Sequence, residues 1–221
     1  MKYFHTGKHF DDREKSLIGG FSNLRKKQVI PADIAGVAVA DSSDSSRGIL
    51  SRFDPVDIEI GCGKGGFLLN YAAAHPDRRI AGIEVRHNLA VSLARKITSL
   101  EIRNILVIRM DAREALSAFF VPASIERCFI LFPDPWWKRT HVKKRLATEN
   151  FARKIFAVLK ENGHIFFATD VLHLSDLFGD CFSGAGFLAS RGFNANLPET
   201  DREKAIRKRD GDIFYYTFVK P

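Results

Sequence analysis

From Val56 onward the chain repeats one unit: a short apolar run, a turn, then apolar residues returning every three or four positions. Runs over 56–60, 79–85, 105–110, 128–132 and 164–169 read as strands. The intervening stretches read as helices: one over 66–74, then stripes at Leu89, Leu93, Ile97 and Leu100 and at Ala115, Leu116, Phe119 and Phe120. Further stripes lie at Phe151, Ile155, Val158 and Leu159, which Asn162-Gly163 is expected to terminate, and at Leu174, Leu177, Phe178 and Cys181. The aromatic and β-branched residues of 213–219, with the segment after Phe187, supply the last strands. Alternating strands and helices predict an α/β fold: a doubly wound, mostly parallel sheet covered on both faces. Cys128-Phe129-Ile130-Leu131-Phe132 is apolar throughout, as a central strand buried on both faces should be.

Residues 1–50 lack such periodicity and include Asp41-Ser42-Ser43-Asp44-Ser45-Ser46, which cannot offset its ordering entropy by burial. The expected organisation is a flexible N-terminal arm and Ser/Asp-rich linker over 1–50 and one domain over 51–221. With 221 residues and 45% hydrophobic content, the chain can build one sizeable core. Three cysteines without a Cys-x-x-Cys pair disfavour a disulfide framework or a zinc module and fit a reducing cytoplasm. His5 and His9 lack a third ligand, so no metal is expected. Neither a signal segment nor an apolar run of membrane-spanning length is read, and a soluble, cytoplasmic protein is expected. Monomer and homodimer both remain open. A net charge of +8 admits a polyanionic partner.

The chemistry centres on Glu59-Ile60-Gly61-Cys62-Gly63-Lys64-Gly65-Gly66, where a strand breaks into glycines and enters a helix. Such a turn brings backbone N–H groups close to a nucleotide cofactor, with Gly61 and Gly63 as candidate contacts. The spacing alone suits either a dinucleotide or S-adenosylmethionine. Glu59, two residues before the first glycine, would oppose a pyrophosphate but favour a methionine-type ammonium. Glu84, at the second strand tip about 20 residues beyond the loop, is positioned to accept from ribose hydroxyls. Asp111, one strand further, either meets the adenine end or caps the next helix.

After the central strand comes Phe132-Pro133-Asp134-Pro135-Trp136-Trp137-Lys138-Arg139, in which two prolines hold the Asp134 carboxylate in place. The adjacent tryptophans offer faces for base stacking or fill the core. Lys138, Arg139, Lys143, Lys144 and Arg145 concentrate positive charge beside this acid, which favours a nucleic-acid partner. Asp170 falls at the tip of the following strand. Methylation of an exocyclic base amine, a non-catalytic RNA-binding domain and a nucleotide-dependent oxidoreductase are alternatives consistent with these features.

Taken in order, Glu59-Ile60-Gly61-Cys62-Gly63, Gly82-Ile83-Glu84-Val85, Asp111-Ala112, Phe132-Pro133-Asp134-Pro135-Trp136 with Lys138, and Ala168-Thr169-Asp170 resemble the tRNA (guanine-N7-)-methyltransferases. The resemblance is continuous over 56–170. It implies a seven-stranded class I methyltransferase fold, S-adenosylmethionine as cofactor, and a tRNA substrate methylated at N7 of guanine 46 in the variable loop. By the same resemblance Glu59, Glu84, Asp111 and Asp134 contact the cofactor, Asp134 is also the catalytic carboxylate, and Lys138 and Asp170 meet the guanosine. Thr200, Asp201, Arg202 and Glu203 stand where the family carries a substrate motif Thr-x-x-Glu. They depart from it, because Arg202 replaces the usual aromatic residue and Lys204-Ala205 replaces the Arg-Gly that normally follows.

Overall fold

The central strands sit where they do because their side chains alternate between two apolar layers. The computed structural model describes residues 28–31, 56–135, 145–193 and 195–221. In chain order the elements are β1 (Gln28–Pro31), β2 (Val56–Ile60), α1 (Gly66–Ala74), β3 (Arg79–Ile83), α2 (His87–Ser99), β4 (Ile105–Arg109), α3 (Ala112–Phe119) and β5 (Ile125–Leu131). There follow α4 (Glu149–Val158), β6 (Leu159–Thr169), α5 (Leu172–Gly184), β7 (Leu188–Arg191), α6 (Asp201–Arg207) and β8 (Phe214–Val219). They form one sheet in the order β1-β4-β3-β2-β5-β6-β8-β7. Strands β4, β3, β2, β5 and β6 are mutually parallel. β8 runs antiparallel between β6 and β7.

Seven of these strands make the expected mostly parallel sheet. The eighth, β1, comes from the stretch read as an arm: Gln28–Pro31 pair antiparallel with β4, from Gln28 opposite Arg109 to Pro31 opposite Leu106. A proline is tolerated there because an edge strand can spare an N–H.

Period-two alternation sorts the core. Ile58, Ile60, Leu106, Ile108, Cys128, Ile130, Ile165 and Phe167 pack with α3, α4 and α5 on one face. Ile105, Val107, Phe129 and Phe166 pack with α1 and α2 on the other. Among the described residues, no helix is long and apolar enough to cross a membrane.

β3 ends at Ile83, short of the expected Val85, β5 begins at Ile125, ahead of Cys128, and the start of β6 differs most. Leu159 and Asn162-Gly163 were expected to close a helix, yet β6 begins at Leu159, which has extended backbone angles and pairs with Ile125. Asn162 takes φ 58°, its N–H donates to Lys220 O at 2.9 Å, and Gly163 O accepts from Lys220 N–H at 3.0 Å. The glycine therefore shapes a bulge within the strand. A Cβ there would come within 2.7 Å of Leu159 Cγ.

Candidate active site

Because β4, β3, β2, β5 and β6 are parallel neighbours, their carboxyl ends share one edge of the sheet. Glu59, Glu84, Asp111, Asp134 and Asp170 lie in or just beyond those ends, so the fold brings the five expected acids to one rim. Strand order reverses between β2 and β5, the place where an open α/β sheet leaves a crevice for a ligand.

The glycine turn connects β2 to α1. Gly61, Gly63 and Gly65 have φ of 78°, 55° and 77°, a region that side chains with a Cβ enter only at a cost. The turn is pinned from β3: Gly61 N–H donates to Ile83 O at 2.8 Å, and Gly63 N–H donates to Glu84 Oε2 at 3.0 Å. A Cβ on Gly61 would meet nothing within 4 Å, so the loop's outer side faces open space. At Gly65 the opposite holds, since a Cβ would lie 2.2 Å from Leu93 Cδ1 of α2.

Glu84 is 2% exposed, and its carboxylate organises the turn. Oε2 takes the Gly63 N–H; Oε1 takes the Arg86 N–H at 2.7 Å and Arg86 Nε at 3.2 Å. Three of the carboxylate's four lone-pair sites are then used, and Oε2 keeps one for a ligand hydroxyl. Glu59 is 5% exposed, and its Oε2 has no hydrogen-bond partner among the described residues. Burial, and secondarily the Glu84 carboxylate, push its carboxyl from 4.5 up to about 8. A buried acid left this way is costly unless something positive completes it.

Asp111 does cap a helix: Oδ1 accepts from Arg113 N–H at 2.9 Å and from Arg113 Nε at 2.8 Å, and Oδ2 from Arg113 Nη2 at 2.6 Å. The Arg113 guanidinium holds its carboxyl below the usual range. Asp134 is exposed on the rim. The chain turns there at Phe132, a non-glycine residue with φ 51°, whose N–H donates to Ala168 O at 2.7 Å. That left-handed residue aims the following Pro-Asp-Pro outward, a feature without a sequence signal. Lys138 lies outside the described residues, as do both tryptophans and the basic residues up to Lys144.

The Thr200 to Glu203 segment forms the start of α6. Thr200 Oγ1 accepts from Glu203 N–H at 2.9 Å, and Glu203 Oε2 accepts from Thr200 N–H at 3.3 Å, a capping box. Both side chains are buried, and Glu203 also accepts from Tyr215 Oη and from Arg207 Nη2, so these two residues build the helix start. The exposed residues between them reach the rim. A Cβ on Gly66 would lie 2.8 Å from Asp201 Oδ2, and Arg202 Nη2 contacts Asp170 Oδ2.

Toward the other end of β2, sequence reasoning passed over Asp57. It is fully buried and accepts from Arg78 Nε and Nη2, each at 2.7 Å, and from Tyr71 Oη at 2.8 Å. An acid two residues before Glu59 in an apolar strand was the available signal, since period two puts both on the α1 side.

The model of the methyltransferase family Methyltransf_4 matches residues 54–212. The tRNA (guanine-N(7)-)-methyltransferase of Macrococcus caseolyticus is 34% identical over 169 residues, 75% of this chain and 80% of that protein. The Bacillus subtilis enzyme of the same name is 33% identical over 157 residues, 71% of this chain and 73% of its own. This chain belongs to the tRNA (guanine-N7-)-methyltransferase family. Among solved structures, the aminoglycoside resistance methyltransferase NpmB1 superposes with TM-score 0.59 at 16% identity, covering 88% of this chain and all of that one, and shares the fold. For a tRNA (guanine-N7-)-methyltransferase the rim is apt. The unpartnered Glu59 oxygen fits the ammonium of a methionine-type cofactor, and the open space outside Gly61 fits its close approach.

Proposed function

We infer that this protein transfers a methyl group from S-adenosylmethionine to N7 of a guanine in tRNA. Family membership supports this reading, and the observation on the molecule that carries it is the buried Glu59 carboxylate, its Oε2 unpartnered among the described residues, behind an open glycine turn. A cofactor bearing a pyrophosphate would be repelled there; a cation is attracted.

S-adenosylmethionine supplies an electrophilic sulfonium methyl. Guanine N7 carries an in-plane lone pair and needs no deprotonation, so the protein's task is positioning and charge stabilisation. Glu59 holds the donor's ammonium, with Gly61 and Gly63 lining its seat. Glu84 accepts from ribose hydroxyls, and Asp111 borders the adenine end. Asp134 orients the purine and stabilises the positive charge that develops on it. Lys138, Asp170 and the Thr200, Asp201, Arg202 and Glu203 segment receive the guanosine, the buried Thr200 and Glu203 by shaping the helix start and the exposed pair by reaching the rim.

The target is guanine 46 of the variable loop, and the enzyme works in the cytoplasm, where its free cysteines stay reduced. Incubating the chain with labelled S-adenosylmethionine and an unmodified tRNA transcript should place the methyl on N7 of that guanine. Label on an exocyclic amine, or none, would overturn the reading. Asp134→Ala should abolish transfer while leaving S-adenosylhomocysteine affinity nearly unchanged; wild-type turnover would remove Asp134 from the chemistry.

A further inference from the structure

Of the acids on the rim, most are already committed. Glu84 secures the glycine turn, Asp111 is held by Arg113, Asp201 packs beside Gly66, and Glu59 lies beneath the loop. Asp170 differs: it stands at the tip of β6, its side chain 23% exposed, with an oxygen taken by Arg202 from α6, 32 residues away in sequence. The Arg202 side chain is 53% exposed, so nothing packs it permanently against this partner.

A guanidinium offers parallel N–H donors in one plane, a geometry matched to a carboxylate. Guanine offers the same pattern along its Watson–Crick edge, from N1–H and the N2 amine. Adenine presents an acceptor at N1 and cannot substitute. We propose that Arg202 is a placeholder for the guanine base: it occupies Asp170 in the RNA-free enzyme and is displaced when the Watson–Crick edge of the target guanine takes over that carboxylate.

This inference rests on the function proposed above and names how that site selects its base. An exposed ion pair is weak, so giving it up costs little when guanine enters. A base without the matching donors cannot take the carboxylate and leaves the pair closed, so guanine alone bears the small cost of opening it, and removing Arg202 should sharpen the preference. The start of α6 can hold still while Arg202 swings away, because Thr200 and Glu203 cap it independently and Glu203 is tied to Tyr215 of β8.

The test is a double-mutant cycle on the full chain loaded with S-adenosylhomocysteine. Dissociation constants are measured for an unmodified tRNA transcript and for the same transcript with adenine at the mapped methylation site. The ratio of the two isolates the base, since any attraction between an arginine and the phosphates is common to both transcripts and cancels. Arg202→Ala should raise the guanine-over-adenine preference by about two- to five-fold, the size expected of a surface ion pair. Asp170→Ala should remove most of the preference, and in that background Arg202→Ala should change nothing further. Arg202→Gln, which keeps most of the side chain's packing, should behave as Arg202→Ala and excludes misfolding as the cause.

A preference that falls or stays constant in Arg202→Ala would overturn the placeholder. So would an equal rise with Asp170 absent. If N7 methylation proceeds normally while the cycle shows no coupling, the placeholder alone is wrong. If no N7 methylation occurs, the functional reading fails and takes the placeholder with it.

Discussion

Burial and the neighbouring Glu84 raise the Glu59 carboxyl to about 8, so at pH 7 the cofactor-free protein holds a proton there. A cationic ligand beside it lowers that value, and binding must then expel the proton. Calorimetry of S-adenosylhomocysteine in buffers of different ionisation enthalpy should therefore show release of up to about one proton at pH 7, with affinity rising toward pH 8 and levelling beyond it. Glu59→Gln should abolish the linkage. The sign for stability is opposite to that of an ordinary paired acid. Between 4.5 and about 8 the folded chain binds more protons than the unfolded one, so cofactor-free stability declines as pH rises through that window. Denaturant titrations at pH 6 and pH 8 should show this loss, at most about 1.4 kcal/mol per unit, and Glu59→Gln should flatten it. Which residues carry acid at the rim was legible from sequence. That Glu59 is buried with its Oε2 unpartnered among the described residues, while Glu84 accepts three hydrogen bonds, was not, because burial depends on α1 and α2 closing over one face of the sheet.

Elements carry a different set of costs. Arg78 enters from the loop before β3 to meet Asp57 of β2, Tyr71 of α1 shares the same carboxylate, and Arg127 of β5 donates to Tyr71 Oη at 3.1 Å. One buried acid thus joins two strands, a loop and a helix, and burial and Asp57 push the Tyr71 hydroxyl up to about 12. Asp57→Ala should cost about 3 kcal/mol in urea denaturation, since it strands a largely buried guanidinium whose remaining carboxylate contact among the described residues is Glu126 at 3.1 Å. Cofactor affinity should not move, because the network lies toward the amino ends of the strands. At the glycine turn the balance reverses. Gly65→Ala should lose about 1–3 kcal/mol and also weaken cofactor binding, because φ 77° is strained for alanine and the methyl must displace Leu93. The hydrophobic spacing located every helix of the parallel half to within a few residues. It misplaced the start of β6 because Leu159 satisfies a helical stripe and a strand register equally, and only pairing with Ile125 decides between them.

For the whole molecule, the sequence carries a net charge of +8, while the described carboxyl-end rim carries carboxylates. The two signs suit different ligands: carboxylates favour a small cation, and a basic excess favours a polyanion. Binding of a tRNA transcript should accordingly weaken steeply with salt, linear in a log–log plot, with S-adenosylhomocysteine affinity almost indifferent over the same range. A shallow slope for tRNA would mean that the charge excess plays no part in docking. The edge strand β1 extends the sheet beyond β4 at the end opposite β7.

Periodicity and glycine placement determined by themselves the α/β class and the place of the cofactor loop, and the ordered motifs from Glu59 to Asp170 carried the resemblance to the family, because these are local properties written in consecutive residues. Tertiary structure alone decided that Asp57 is a buried staple, that Gln28–Pro31 join the sheet, and that Arg202 reaches Asp170. Each of those depends on residues far apart in the chain coming together, and no local pattern encodes which distant partner a side chain will find.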